Sequence, residues 1–318
     1  IKNFGNLVPT GTLGPVMSSG SLLCHQLLRL EIMRDFSKDH SDLALNTATL
    51  GHLFEGCGAG WSPEEVIDSC AKRGFGAIAW WRREIGKRAF EIGERTRSAG
   101  LEVSGLCRSP FLVGPLAPSR RQNVIDDFKS SIEMASDLGA RCLTVCAGGV
   151  IEGSHSITES LKEVTSIVAE MAQFSQSSGV RLAVEPLNPV YGGNRSCLVT
   201  VRDAVDMCEV IKNPLVTIAV DVYHVWWDLS LAHELKRAGA DRISGYHLCD
   251  WLAETSDVLL DRGMMGDGVA DLKSIRESVE NAGYSGYCEV EVFSANNWWK
   301  RDPNEVLDTC VERFRTVC

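Results

Sequence analysis

The sequence predicts an α/β protein, a closed (β/α)8 barrel with an N-terminal helical extension. Three observations predict it. From about residue 42 onward, short β-branched or apolar runs alternate with longer segments of helical periodicity, and the pair repeats eight times. The runs are near-continuously apolar, as strands of a parallel sheet covered on both faces are. No G-x-G-x-x-G follows the first run, which ends LNTATLGHLFEG. The open doubly wound sheet, which is the alternative, would be expected to carry that phosphate turn.

Residues 1–20 are rich in Gly, Pro, Thr and Ser and read as an arm. SLLCHQLLRLEIMRDF (21–36) reads as one amphipathic helix whose stripe of Leu22, Leu23, Leu27, Leu30 and Met33 must be covered. Its His25, Arg29, Glu31 and Arg34 are foreign to a signal-peptide core. Residues 1–41 are thus set apart from a barrel domain over 42–318. LALNTATL (43–50) is the first strand. SPEEVIDSCAKRG (62–74) is a helix, with Ser62 as N-cap, Pro63 at the first position and Glu65 closing a capping box. GAIAWW (76–81) is a strand, followed by a helix over 84–99. LEVSGLC (101–107) precedes a helix over 120–138, and RCLTVCAG (141–148) precedes one over 157–178. RLAVEPL (181–187) leads to a helix over 201–211, and VTIAVDV (216–222) to one over 229–239. ISGYHLCD (243–250) is followed by a long loop and a helix over 271–282. GYCEVEVF (286–293) is the last strand and 303–316 the last helix. Strands joined through helices imply parallel pairing and right-handed crossovers.

Composition narrows the function. A formal charge of −10 disfavours nucleic acid or an anionic membrane as partner, since phosphate neutralisation needs a basic face. No apolar run approaches the ~18 residues of a membrane-spanning helix. The 12 cysteines are scattered, several within strands (Cys142, Cys146, Cys249, Cys288), with no C-x-x-C. They read as free buried thiols, and a reducing cytoplasmic location is expected.

In such a barrel, function gathers where strands end. Strand five ends at Glu185, strand six at Asp221, strand seven near His247 and strand eight near Glu291. Each has an ordinary explanation alone. Asp221 could cap the next helix, Glu185 could pair with an arginine, His247 could be a core histidine, and Glu291 could be a cap. Together they place three carboxylates and one imidazole at one rim, which repels itself without a cation. One divalent metal ion is therefore expected, Mn²⁺ first, with Mg²⁺, Co²⁺ or Zn²⁺ as alternatives. Asn46, Trp81, Arg82, Arg108, Asn188, Trp251 and Arg262 are candidate substrate contacts on the same rim, though each reads equally as a loop residue or a structural ion pair. Trp81 and Trp251, with Trp226 and Trp227, suit stacking on a sugar ring or packing in the core.

The ordered quartet Glu185, Asp221, His247, Glu291, with HLCDW (247–251), DRGMMGDG (261–268) and EVEVFS (289–294), resembles the xylose isomerase-like TIM-barrel superfamily, the sugar phosphate isomerases and epimerases. The likeness covers about residues 42–316. It implies that the quartet binds the metal, that Glu185 and Glu291 act as the acid/base pair, and that His224 contacts substrate. Glu289 competes for the eighth-strand ligand, but the family places its ligand just before an apolar residue and Phe, as in Glu291-Val292-Phe293. The implied activity is isomerisation or epimerisation of a small carbohydrate or keto-sugar by proton abstraction next to a metal-bound carbonyl, in a homo-oligomer, dimer or tetramer. Two departures stand out. Ketose 3-epimerases carry a second glutamate where this chain has Tyr191 and an arginine where it has Ala253. Both tilt toward the rival reading, a lyase or dehydratase on a keto-sugar, keto-glycoside or inosose. An apurinic endonuclease would need more rim histidines than His224 and His247, with His155 as a further candidate. A non-enzymatic binding barrel is the remaining alternative.

Overall fold

Eight parallel strands close on themselves in sequence order. They are β1 (Leu43–Asn46), β2 (Ala77–Trp81), β3 (Glu102–Cys107), β4 (Cys142–Cys146), β5 (Arg181–Glu185), β6 (Val216–Asp221), β7 (Ile243–Leu248) and β8 (Cys288–Val290), with β8 pairing back to β1. The computed structural model describes residues 34–52, 54 and 56–318. The arm over 1–20 and the apolar stripe expected on the helix 21–36 lie outside the described residues. From Asp35 to Cys318 the chain packs as one unit, and Phe36 stacks on Phe314 with ring centroids 4.1 Å apart.

Among the described residues, eight helices of eight or more residues wrap the strands: α1 (Pro63–Lys72), α2 (Ala89–Ser98), α3 (Arg121–Leu138), α4 (Ile157–Phe174), α5 (Val201–Ile211), α6 (Leu231–Ala238), α7 (Leu272–Asn281) and α8 (Pro303–Thr316). The start of α1 is the capping box its sequence spells. Ser62 Oγ accepts from Glu65 N–H at 3.3 Å, and Glu65 Oε2 accepts from Ser62 N–H at 2.8 Å. On α3 the buried residues Val124, Ile125, Phe128, Ile132, Ala135 and Leu138 recur at three- and four-residue spacing. Each large apolar side chain so buried contributes roughly 1.5–3 kcal/mol. Inside the barrel the packing is small. Cys142, Ala183 and Ala219 cluster there, and a Cβ on Gly105 would sit 3.6 Å from Cys142 Sγ.

Three elements differ from the sequence expectation. The first strand stops at Asn46 because its Oδ1 accepts from Ala48 N–H at 3.2 Å, turning Thr47–Leu50 into a 3-10 turn. The helix expected over 84–99 is two pieces, a single turn at Arg82–Ile85 and then α2. Gly86 between them takes φ 54°, which a residue with a Cβ rarely adopts. The last strand leaves regular pairing after Val290, so Glu291 lies just beyond it.

All described cysteines are free, and all but Cys57 are buried. Among the described residues no helix is long and apolar enough to cross a membrane.

Candidate metal centre

The ends of β5 to β8 bring four side chains together. Glu185 closes β5, Asp221 closes β6 directly opposite His247 on β7, and Glu291 follows β8. All four are buried, and one ligand-competent atom from each lies within 4.8 Å of the others. His247 Nδ1 is 3.0 Å from Glu185 Oε1 and 3.8 Å from Glu291 Oε2, while its Nε2 faces Glu289 Oε2 at 3.5 Å. Gly245 leaves room for this ring, since a Cβ there would sit 3.1 Å from Nε2.

Asp221 caps the turn after its strand and also faces a buried arginine. Oδ1 accepts from Tyr223 N–H at 2.8 Å and caps the single turn Val222–Val225. Oδ2 accepts from Arg262 Nη1 at 2.8 Å. Arg262 is itself buried, 3.2 Å from Glu291 Oε2, with its guanidinium 4.4 Å from the Tyr223 ring centroid and 4.2 Å from that of Phe293.

The charges explain the chemistry of this set. Ionised Glu185, Asp221 and Glu291 carry −3, and Arg262 returns +1. With a neutral His247 the balance is −2, which one divalent cation cancels. In the protein alone, protons make up the difference. Burial disfavours the His247 imidazolium, but Glu289, Glu185 and Glu291 outweigh it and raise its pKa well above the usual histidine value. Burial pushes the Glu291 carboxyl up, against the pull of His247 and Arg262. Asp221 goes the other way. Burial is opposed by Arg262, His224 and His247, which hold it down to about 2. The donor set of three carboxylates and one imidazole fits a hard divalent ion. Glu185 Oε1 and His247 Nδ1 are buried and face only each other, 3.0 Å apart without a well-aligned hydrogen bond, so a cation between them would displace no better partner.

Above the quartet lies a cavity of about 430 Å³, within the size range of small-molecule sites. Glu185 and Glu291 line it, with Trp81, Arg108, His224 and Arg262 among the other candidates. His224 Nδ1 accepts from Asn188 N–H at 3.2 Å, and burial lowers its pKa to about 4 against the pull of Asp221. The ring is therefore neutral at pH 7 with its proton on Nε2. Asn46, Arg82, Asn188 and Trp251 do not line the cavity. Asn46 Nδ2 donates to Glu291 Oε1 at 2.9 Å, and its Oδ1 accepts from Trp81 Nε1 at 2.7 Å. Arg82 pairs with Asp127 at 2.5 Å. Asn188 Oδ1 accepts from Val190 N–H at 3.1 Å, and Trp251 packs against Tyr223 with centroids 4.7 Å apart.

Sequence reading did not single out Arg195, Leu259 or Leu260 as cavity walls, and it met Tyr191 only as a departure. The Tyr191 and Tyr223 hydroxyls both donate to Val258 O, tying down the loop that carries Leu259 and Leu260. No periodicity marks such loop residues. The nearest signal was Tyr191 standing where a polar grip was expected. His155 is exposed and outside the quartet, which among the described residues is the one His/Cys/Asp/Glu group able to hold a metal ion.

The model of the xylose isomerase-like TIM barrel family matches residues 67–315. The crystal structure of protein SMc04130 from Sinorhizobium meliloti 1021 superposes with a TM-score of 0.81 at 44% identity, over 88% of this chain and 99% of that one. The inosose isomerase of Bacillus licheniformis is 25% identical over 199 residues, which is 60% of this chain and 67% of that protein. The fructoselysine 3-epimerase of Escherichia coli O157:H7 is 24% identical over 200 residues, 62% of this chain and 68% of that protein. With the family match running through most of the barrel, the chain belongs to the xylose isomerase-like TIM barrel family.

Proposed function

We propose that the protein is a divalent-metal-dependent isomerase or epimerase of a carbohydrate or keto-sugar. The observation that carries this reading is the pair Glu185 and Glu291 on one cavity, with Asp221 and His247 in the same cluster. Relatives that interconvert inososes or epimerise fructoselysine support the reaction class. Glu185, Asp221, His247 and Glu291 would hold the cation, Mn²⁺ first. Such an ion, when bound, polarises a substrate carbonyl and stabilises the charge left when a neighbouring proton departs.

The chain's own groups do the rest. One of Glu185 and Glu291 takes the proton from the carbon next to the carbonyl, and the other returns one on the opposite face. Asn46 and Arg262 each hold one oxygen of Glu291, which keeps its carboxylate plane fixed. His224, whose Nε2 lies 3.5 Å from Asp221 Oδ2, presents its ring to the cavity as a substrate contact. The tethered loop bearing Leu259 and Leu260 limits water at the mouth. The rival lyase reading is favoured by one observation. Tyr191, standing where a ketose-gripping glutamate would be, spends its hydroxyl on Val258 O.

The test is turnover in D₂O against a panel of keto-sugars and keto-glycosides. The expected result is deuterium at the carbon next to the carbonyl. A product that keeps all its substituents marks the epimerase, and loss of a β-substituent marks the lyase. Turnover with no exchange at that carbon would overturn both in favour of a hydride shift.

Metal loading should also release protons. His247 and Glu291 both hold theirs above the ordinary range in the protein alone, and a bound ion requires both groups deprotonated. Apparent Mn²⁺ affinity should therefore fall as pH falls. Calorimetry at pH 7 in buffers of different ionisation heat counts the protons released, and a count of zero refutes the assignment of these two groups as ligands.

A further inference from the structure

The cavity carries more positive charge than its floor requires. Arg262 is committed to Asp221 and Glu291. Two other arginines line the same cavity and have no carboxylate partner among the described residues. Arg195 is half-buried, and its side chain makes no hydrogen bond or ion pair among the described residues. Arg108 spends one N–H on Ser109 O at 2.9 Å, and its guanidinium lies 3.8 Å from the Phe111 ring centroid. That leaves most of its five donors unused, on a head whose position is already set.

Arg120, Arg181 and Arg315 also lack a carboxylate partner among the described residues, but none of them lines this cavity. The formal charge is −10, so carboxylates are in excess. On the outer helices several arginines find them: Arg73 meets Asp308 at 2.6 Å, and Arg121 meets Glu163 at 2.9 Å. Arg108 and Arg195 reach the same stretch of wall. Burial pushes the Cys146 thiol at the end of β4 up to about 12, and these two arginines are the cations that act against it. With a divalent ion in place the quartet and Arg262 sum to zero, and no further carboxylate among the cavity's lining residues opposes Arg108 and Arg195, Glu289 not being one of them. A planar guanidinium fork matches a carboxylate or phosphate.

We infer that Arg108 and Arg195 form an anion subsite, and that the substrate carries a carboxylate or phosphate alongside its carbonyl. This rests on the reading of the cavity as a keto-sugar site, and it adds the substrate class. The apolar wall around the arginines strengthens their pull by excluding water from the contact.

Three matched ketoses test it: D-fructose, D-fructose 6-phosphate and D-fructuronate, titrated by calorimetry with and without Mn²⁺. At least one anionic ketose should bind about tenfold or more tighter than D-fructose, the scale of a charge-assisted contact. Which anion gains distinguishes phosphate from carboxylate. Arg108→Gln and Arg195→Gln should each remove most of that preference while the Mn²⁺ titration and the melting temperature hold. Arg195→Lys should restore part of it. Equal binding of the three, binding of none of them, or a preference that survives both substitutions overturns the subsite and leaves the metal centre standing. Failure of native protein to take up Mn²⁺ counts against the metal centre alone, since the anion preference is read independently in the metal-free titration.

Discussion

Asp221→Asn should lower Mn²⁺ affinity by at least about a hundredfold, the upper end for loss of a partner that merely supports a ligand. The substitution is close to isosteric and separates the two jobs of this residue. An asparagine Oδ1 can still accept from Tyr223 N–H, so the helical turn after β6 keeps its cap. The charge facing Arg262 and the proposed cation is lost. Arg262 is then buried with only Glu291 opposite it, and breaking a buried ion pair costs up to about 3–5 kcal/mol. The stabilisation at stake belongs to the ionised form. Asp221 is held down to about 2 in the fold, so its contribution is present above the ordinary carboxylate pKa and fades as pH falls toward 2. Mn²⁺ calorimetry and urea unfolding check the two effects separately. Native-like Mn²⁺ affinity in the variant would remove Asp221 from the ligand set.

Glu185→Gln, assayed at saturating Mn²⁺, should reduce kcat by about 10²-fold or more, the contribution of a positioned general base. KM should change far less, because the carboxylate does its work in the transition state. Glu291→Gln should behave alike in turnover, yet the two variants should differ in exchange. The one that removes the abstracting base also abolishes deuterium uptake, whereas the one that removes the returning acid leaves exchange on the first face intact. Equal, undiminished kcat in both variants would end the two-glutamate mechanism.

Local signals were legible in the text and distant ones were not. Ser62, Pro63 and Glu65 specify a helix start within four residues, and the cap forms as read. The eight alternations reveal the barrel because each strand and helix carries its own periodicity. Asn46 illustrates the other case. Its partner Glu291 lies 245 residues away and becomes a neighbour only when the last strand closes on the first. Arg262 read as a substrate contact, but its position in a long loop gave no hint that it would fold under onto Asp221. Glu84 read as the beginning of a helix. In the fold it is a hub that binds His52 at 2.5 Å and accepts from Thr47 as well, because Gly86 cuts the helix short beside it. Loop residues such as Arg195 obey no period, so only the closed barrel shows which of them reach the mouth.

The four clustered side chains all hang from consecutive strands, β5 to β8, while Trp81 and Arg108 come from the ends of β2 and β3. The barrel thus divides its labour between two half-circles. The quartet and Arg262 are electrically committed: each answers to the charge of its neighbours, and a single replacement unsettles several. The other half mostly shapes space and can be retooled one loop at a time. Replacements in the early loops would then reshape the cavity while leaving the charge balance of the cluster untouched.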